Sequence, residues 1–292
     1  MKMERLFAKT MCWGGLCVFL GCGVQGSENT KYISQALGTQ LVAAIQFDAN
    51  NSDVKAVDPS CASEENASVC AVKKLITQAQ AAGAILVVTP EYGLGQEYLE
   101  PDPTIGETPA ISADWPDDTF IKEFSKQANE LQIYLVINLQ TYSGSGTSEK
   151  TFNTQVAFGP DGKVVGVHHK FELFDSEADF LTPGVDVMAF DTPLGKVGLL
   201  ICADMYGDLR LHDKLTGQLG AKIVAVSSFW TANGGYRWPA NFAKNWGVFV
   251  ISSNTTAGEG QGGGIFDPDG TALDLMTSGT PGVASAAIPT SP

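Results

Sequence analysis

Basic residues are scarce in this 292-residue chain, where 18 Lys and Arg face 32 Asp and Glu for a net charge of -14. Phosphate binding needs clustered cations, and no basic patch exists, so nucleic acid is excluded as a partner. Histidine is rarer still, with three in all. His168 and His169 are neighbours, so a strand would point them to opposite faces, and His212 stands far away in sequence. They give no metal-ligand cluster, and no metal or other cofactor is implied. No apolar run reaches the roughly 18 residues of a membrane-spanning helix. No Gly-x-Ser-x-Gly elbow occurs. The glycine-rich run Gly258 to Gly262 leads towards a strand-like segment, so no helix N-terminus would face a phosphate there.

Hydrophobic content of 44% with 17% charged residues is ordinary globular usage, enough for a sizeable core. The first residues read as a targeting segment. Lys2, Arg5 and Lys9 form a positive region, and Met11 to Leu20 a short apolar one. Phe19-Leu20-Gly21-Cys22 resembles a bacterial lipoprotein signal, with phenylalanine where leucine is usual. On that reading residues 1–21 are removed, Cys22 is lipidated and anchors the protein to a membrane, and residues 22–40 are a tether. An ordinary signal cleaved after Gly26 competes with it. Either way the expectation is export, to the periplasm, the cell surface or the medium. Export leaves Cys61, Cys70 and Cys202 outside the leader. Cys61 and Cys70 bracket a short polar loop and are expected to form a local disulfide in an oxidising compartment. Cys202 is then the odd thiol, flagged as reactive.

Strand-like and helix-like segments alternate from there on. Apolar strands are predicted at 41–47, 85–88, 134–139, 196–201, 223–227 and 248–252, and helices at 71–82, 119–131 and 208–219. Gly159-Pro160-Asp161-Gly162 predicts a hairpin joining 153–158 to 163–169, and 265–271 a second one. Residues 94–117 read as a loop over a site, and the chain from Thr280 as loose. Two β-rich halves with helices outside give an α/β fold of four layers, an α-β-β-α sandwich, over residues 41–287 with a tail at 288–292. No linker-like break divides it.

Three segment ends carry chemistry. Cys202 closes Val197-Gly198-Leu199-Leu200-Ile201, Glu91 follows Val87-Val88-Thr89-Pro90, and Lys170 follows His168-His169. Each alone has an ordinary reading, as a buried thiol, a solvated carboxylate or an edge-capping lysine. Together, thrown off strand ends at one sheet edge, they make a nucleophile, a base and a cation for acyl chemistry.

These residues resemble the nitrilase-type carbon-nitrogen hydrolases, from about Leu41 to Ala287. The likeness rests on Thr89-Pro90-Glu91-Tyr92-Gly93, on His168-His169-Lys170-Phe171-Glu172-Leu173-Phe174, and on Ile201-Cys202-Ala203-Asp204. Asn153-Thr154, Phe229-Trp230 and Gly264-Ile265-Phe266 are similar to the biotinidase and pantetheinase branch, without its extra C-terminal domain. The arginine that many relatives carry soon after the cysteine is absent. The resemblance implies an amidase acting on a small-molecule linear amide, with Cys202 as nucleophile and Glu91 as base. Lys170 and the Ala203 N–H would hold the oxyanion, and Glu177 would position Lys170, with Glu172 as the nearby alternative. Tyr92 and Trp230 become candidate pocket walls. It also allows a nitrilase or an acyltransferase, a silent binding lipoprotein, and a homodimer.

Overall fold

The structure, a computed structural model, describes residues 38–290 apart from 96–98, 104, 106–119, 233 and 259–261. Cys22 and the whole targeting segment therefore lie outside the described residues, as does most of the loop over 94–117.

The central strands are continuous apolar runs because both of their faces are buried. In β1 (Thr39–Gln46) Ala43 and Ile45 face one core, and Val42 and Ala44 the other. β1 runs parallel to β2 (Ala84–Val88), which runs parallel to β4 (Tyr134–Ser143). β5 (Lys150–Phe158) and β6 (Val164–His169) continue the sheet antiparallel. β3 (Leu99–Pro101) lies along β4, a short strand inside the stretch expected to be loop. The second sheet has the order β12-β11-β10-β9-β8-β7. Its members are β7 (Ala189–Thr192), β8 (Gly195–Ile201), β9 (Ile223–Ser227), β10 (Phe249–Ser253), β11 (Gly264–Phe266) and β12 (Ala272–Leu275).

Three apolar cores follow from the alternation. Helices α2 (Ala67–Ala81) and α3 (Phe120–Leu131) cover the outer face of the first sheet through Val72, Ile76, Ile121 and Phe124. Between the sheets Val42, Leu86, Val88 and Val136 meet Val197, Leu199, Ala225 and Ile251. The outer face of the second sheet is covered through Leu215 and Phe242. Leu215 lies in the π-helical turn that continues the helix Leu209–Asp213, and Phe242 in the helix Arg237–Trp246. Each buried aliphatic side chain contributes about 1.5–3 kcal/mol. The four-layer α-β-β-α sandwich is thus present. The short helix Asn51–Val57 is α1, the helix Leu209–Asp213 is α4 and Arg237–Trp246 is α5.

Three expectations need correction. The chain after Thr280 is not loose: β13 (Gly282–Pro289) pairs antiparallel with the whole of β1. Its Ala-rich sequence gave no strong strand signal, yet Ala284, Ala286 and Ile288 alternate inward. Ile288 and Pro289 therefore belong to the sheet, not to a tail. β1 likewise starts at Thr39, inside the stretch assigned to the tether. Finally, Cys61 and Cys70 are joined with Cα atoms 5.5 Å apart, but no open loop separates them. A 3-10 turn (Pro59–Ser63) and the first turn of α2 do, because Val69 extends the apolar face of that helix.

Candidate active site

Two sheets end at one edge, and each contributes. β2 ends at Val88, and Pro90 stops the strand so that Glu91 and Tyr92 turn inward, with Tyr92 at φ 55°. β6 ends at His169 and delivers Lys170. β8 ends at Ile201, and Cys202 sits at φ 44° as the first residue of a 3-10 turn. Left-handed backbone at non-glycine residues costs about 1–3 kcal/mol and collects at functional sites. Of the four such residues described, Tyr92, Asp175 and Cys202 border this one cluster, and only Gln132 does not.

The cluster is largely buried and densely hydrogen-bonded. Lys170 Nζ lies 2.8 Å from Glu91 Oε1 and 2.7 Å from Glu177 Oε2, and Lys170 and Glu91 are each 2% exposed. The Asn153 side-chain amide donates to Glu91 Oε1 at 2.8 Å and to the Tyr92 hydroxyl oxygen at 3.0 Å. That hydroxyl donates in turn to Glu177 Oε1 at 2.7 Å. Asn138 Nδ2 donates to Asn153 Oδ1 at 2.7 Å, and the Tyr92 N–H donates to Asn138 Oδ1 at 2.9 Å. The thiol of Cys202 lies within reach of the Glu91 carboxylate, the Lys170 ammonium and the backbone of Phe229, all of which act on its charge.

These partners set the charges. Burial pushes the Glu91 carboxyl above its ordinary value, and Lys170 offsets only part of that. Burial works against the charged form of Glu177 too, but the Lys170 ammonium outweighs it and holds that carboxyl low. For Lys170 burial favours the neutral amine, yet its carboxylate neighbours, Glu91 before Glu177, prevail and keep it cationic. Burial, then the Glu91 carboxylate, push the Cys202 thiol well up, so it rests protonated against its base. The cluster can accept a thiol proton, return it, and face a developing oxyanion with a fixed cation. The Ala203 N–H lies at the start of the 3-10 turn, where the turn's own bonding leaves donors unused.

Glu91, Lys170, Cys202 and Glu177 thus come together. Glu172 does not join them: its N–H donates to Asp204, and its side chain packs by Gly207. Trp230 lines a pocket of about 230 Å³ beside Cys202, with Phe174, Tyr206, Phe229 and Trp238. Tyr92 instead serves the polar network, its ring edge-on to Phe229. His168 and His169 do diverge, the first bonding Asp204 and the second stacking on Phe152 at 4.1 Å. Among the described residues no cluster of His, Cys, Asp or Glu is placed to hold a metal ion.

Sequence reasoning missed Asn138, Asn153 and Asp204 as site residues. The first two are polar residues inside apolar strands, fully buried, and a buried amide always demands partners. Asp204 is 0% exposed, and its carboxylate accepts four N–H bonds. Oδ1 takes the Phe171 and Glu172 amides at 3.0 and 2.9 Å, and Oδ2 takes the Ile201 amide at 2.9 Å and His168 Nε2 at 2.8 Å. It pins the chain leaving Lys170 to the chain entering Cys202. The acid two residues past a strand-ending cysteine was its only sequence signal.

A model of the carbon-nitrogen hydrolase family matches residues 41–291. The chain belongs to that family. Among its relatives, omega-amidase NIT2-B of Xenopus laevis is 36% identical over 148 residues, covering 45% of this chain and 48% of the relative. Pantetheinase of Bos taurus is 32% identical over 151 residues, covering 44% of this chain and 30% of that protein. The matches to these curated relatives therefore span at most about half of their length. In fold the chain is similar to the amidase from Nesterenkonia sp. AN1, with TM-score 0.65 at 17% identity over 86% of this chain and 93% of that one. It is also similar to Nit3 of Saccharomyces cerevisiae, a member of the nitrilase superfamily, with TM-score 0.66 at 21% identity over 86% and 90%.

Proposed function

We propose that this carbon-nitrogen hydrolase is an exported amidase that cleaves a linear, non-peptide amide of a small molecule through a thioester on Cys202. One observation carries the reading: a thiol held at a left-handed strand end is under the direct electrostatic influence of a buried carboxylate that is itself ion-paired to a buried lysine. The amidase and pantetheinase names of the relatives agree with it.

Glu91 takes the thiol proton as Cys202 Sγ attacks the amide carbonyl. The carbonyl oxygen becomes negative and is held by Lys170 Nζ and the Ala203 N–H. Glu91 then gives its proton to the leaving nitrogen, the C–N bond breaks, and an acyl thioester remains. Water enters, loses a proton to Glu91 and attacks the thioester. The products are a carboxylic acid and the restored thiol. A carboxyl raised by burial suits both halves, since it holds a proton more readily than an ordinary glutamate and so can both take and return it. Glu177 and Asn153 hold Lys170 and Glu91 in register throughout.

The test is amine or ammonia release from a panel of small amides, with Cys202→Ala as control. Removing the nucleophile should lower turnover by at least ~10³-fold with an unchanged circular dichroism spectrum and melting temperature. Residual turnover near wild type in that variant would end the thioester reading. The export and anchoring of the domain belong to the same proposal, and rest on the positive n-region, the apolar stretch to Leu20 and Gly21-Cys22.

A further inference from the structure

The pocket that leads to Cys202 is walled by aromatic rings, and its described lining contains no basic residue. Phe229 and Trp230 form its inner wall, while Phe174, Tyr206 and Trp238 stand at the mouth, 60%, 40% and 47% exposed. Tyr206 and Trp238 meet with centroids 4.8 Å apart. The neighbouring catalytic groups add no spare positive charge. Lys170 is already shared between two carboxyl groups, Glu91 and Glu177. The chain stretches past residue 95 that lie outside the description contain no Lys, Arg or His. Arg237 lies close to the pocket's rim: its Nε would sit 3.5 Å from a Cβ on the lining residue Gly234. It is exposed and does not line the pocket.

Building on the amidase reading above, we propose that the pocket selects a compact acyl group that is uncharged and apolar or aromatic, and that it rejects an acyl group ending in a carboxylate. A second carboxylate would lose its water among aromatic faces, meet no cation, and lie near a lysine already shared between two carboxyl groups. An apolar chain or ring loses nothing there and gains packing against Tyr206 and Trp238. The pocket's 230 Å³ lies under the roughly 300–1,000 Å³ that encloses drug-sized ligands, which favours a short acyl chain or a single ring.

The experiment compares hexanamide and phenylacetamide with glutaramate and succinamate, all releasing ammonia. The neutral amides should show kcat/KM about 100-fold or more above the carboxylated ones, the scale expected when a buried charge finds no partner. Calorimetric binding of hexanamide and glutaramate to Cys202→Ala measures selection without chemistry. Tighter glutaramate binding, or equal binding, overturns the proposal whatever the turnover shows. Hexanamide preference in binding with no turnover of any amide by the wild type leaves the selectivity standing and removes the amidase reading. Arg237→Ala should leave hexanamide turnover unchanged. If wild type does turn over glutaramate well and this variant loses that alone, Arg237 is an anion receptor and the pocket is not neutral-selective.

Discussion

Among single residues, Glu91 has two jobs in the proposed mechanism that its burial makes compatible. Its carboxyl must be ionised to take the thiol proton, and burial lifts it above the ordinary glutamate value of 4.5. As pH falls through the lifted value, the base is lost and the rate falls with it. The acid limb of kcat/KM should therefore lie above 4.5, and a limb at or below it would remove Glu91 from the base role. Lys170 is raised, so it keeps its charge through the alkaline range and contributes no limb near neutrality. Asp204 offers a second test. Each of its oxygens accepts two N–H groups, so an amide in its place turns a donor against two donors. Asp204→Asn should cost about 1–3 kcal/mol for each donor left unpaired. It should also lower kcat far more than it raises KM, because Lys170 and Cys202 lose their common anchor while the aromatic pocket remains. An unchanged kcat with a lowered melting temperature would make Asp204 structural only.

Elements whose residues speak through local pattern were legible before the structure, and elements defined by partners were not. The apolar runs ending in Val88, Ile201 and Ser227 read as strands because both faces are buried and no polar residue interrupts them. Glu91 and Cys202 could be singled out because they come at or just beyond the ends of such runs, and Lys170 because it closes the alternating segment that ends in His168-His169. β13 was not legible, since its alanines and Pro289 become a strand only against β1. β7 hid for a similar reason, being four residues that exist as a hairpin arm of β8. Asn138 and Asn153 sit within strands where the sequence shows only polarity, and their mutual bond crosses the register of β4 and β5. The start of α2 is held by the Cys61–Cys70 bond, which ties it to the preceding 3-10 turn. Closing so short a loop limits the unfolded chain by about 2–3 kcal/mol. Reduction should lower the melting temperature and leave amide turnover intact at 25 °C, because Cys61 and Cys70 lie against α2 and not against Cys202. Unreduced peptide mapping that finds two free thiols would contradict the pairing.

At the scale of the whole molecule, the two sheets are locked so that their ends meet at one place. Gln155 on β5 donates to Ser227 on β9 at 2.9 Å, and Ser227 donates to the Thr89 carbonyl at 2.7 Å, two residues before Glu91. Those buried polar ties fix the sliding of one sheet over the other, which apolar packing between Leu86, Val88 and Leu199 leaves unspecified. Glu91, Lys170, Glu177 and Cys202 all belong to the described residues, so the chemistry of the site and the proposed anchoring can be tested apart. The proposed acylation of Cys22 adds membrane affinity at about 0.8 kcal/mol per buried CH₂, enough with several chains to hold the protein at a bilayer. Wild type expressed in a bacterial host should then partition into the detergent phase, and Cys22→Ser into the aqueous phase. Amide turnover per molecule should be the same in both, because Glu91, Lys170 and Cys202 are all supplied by strand ends beyond β1. Aqueous partitioning of both forms means that the signal is cleaved elsewhere and the proposed amidase meets its substrates free in solution.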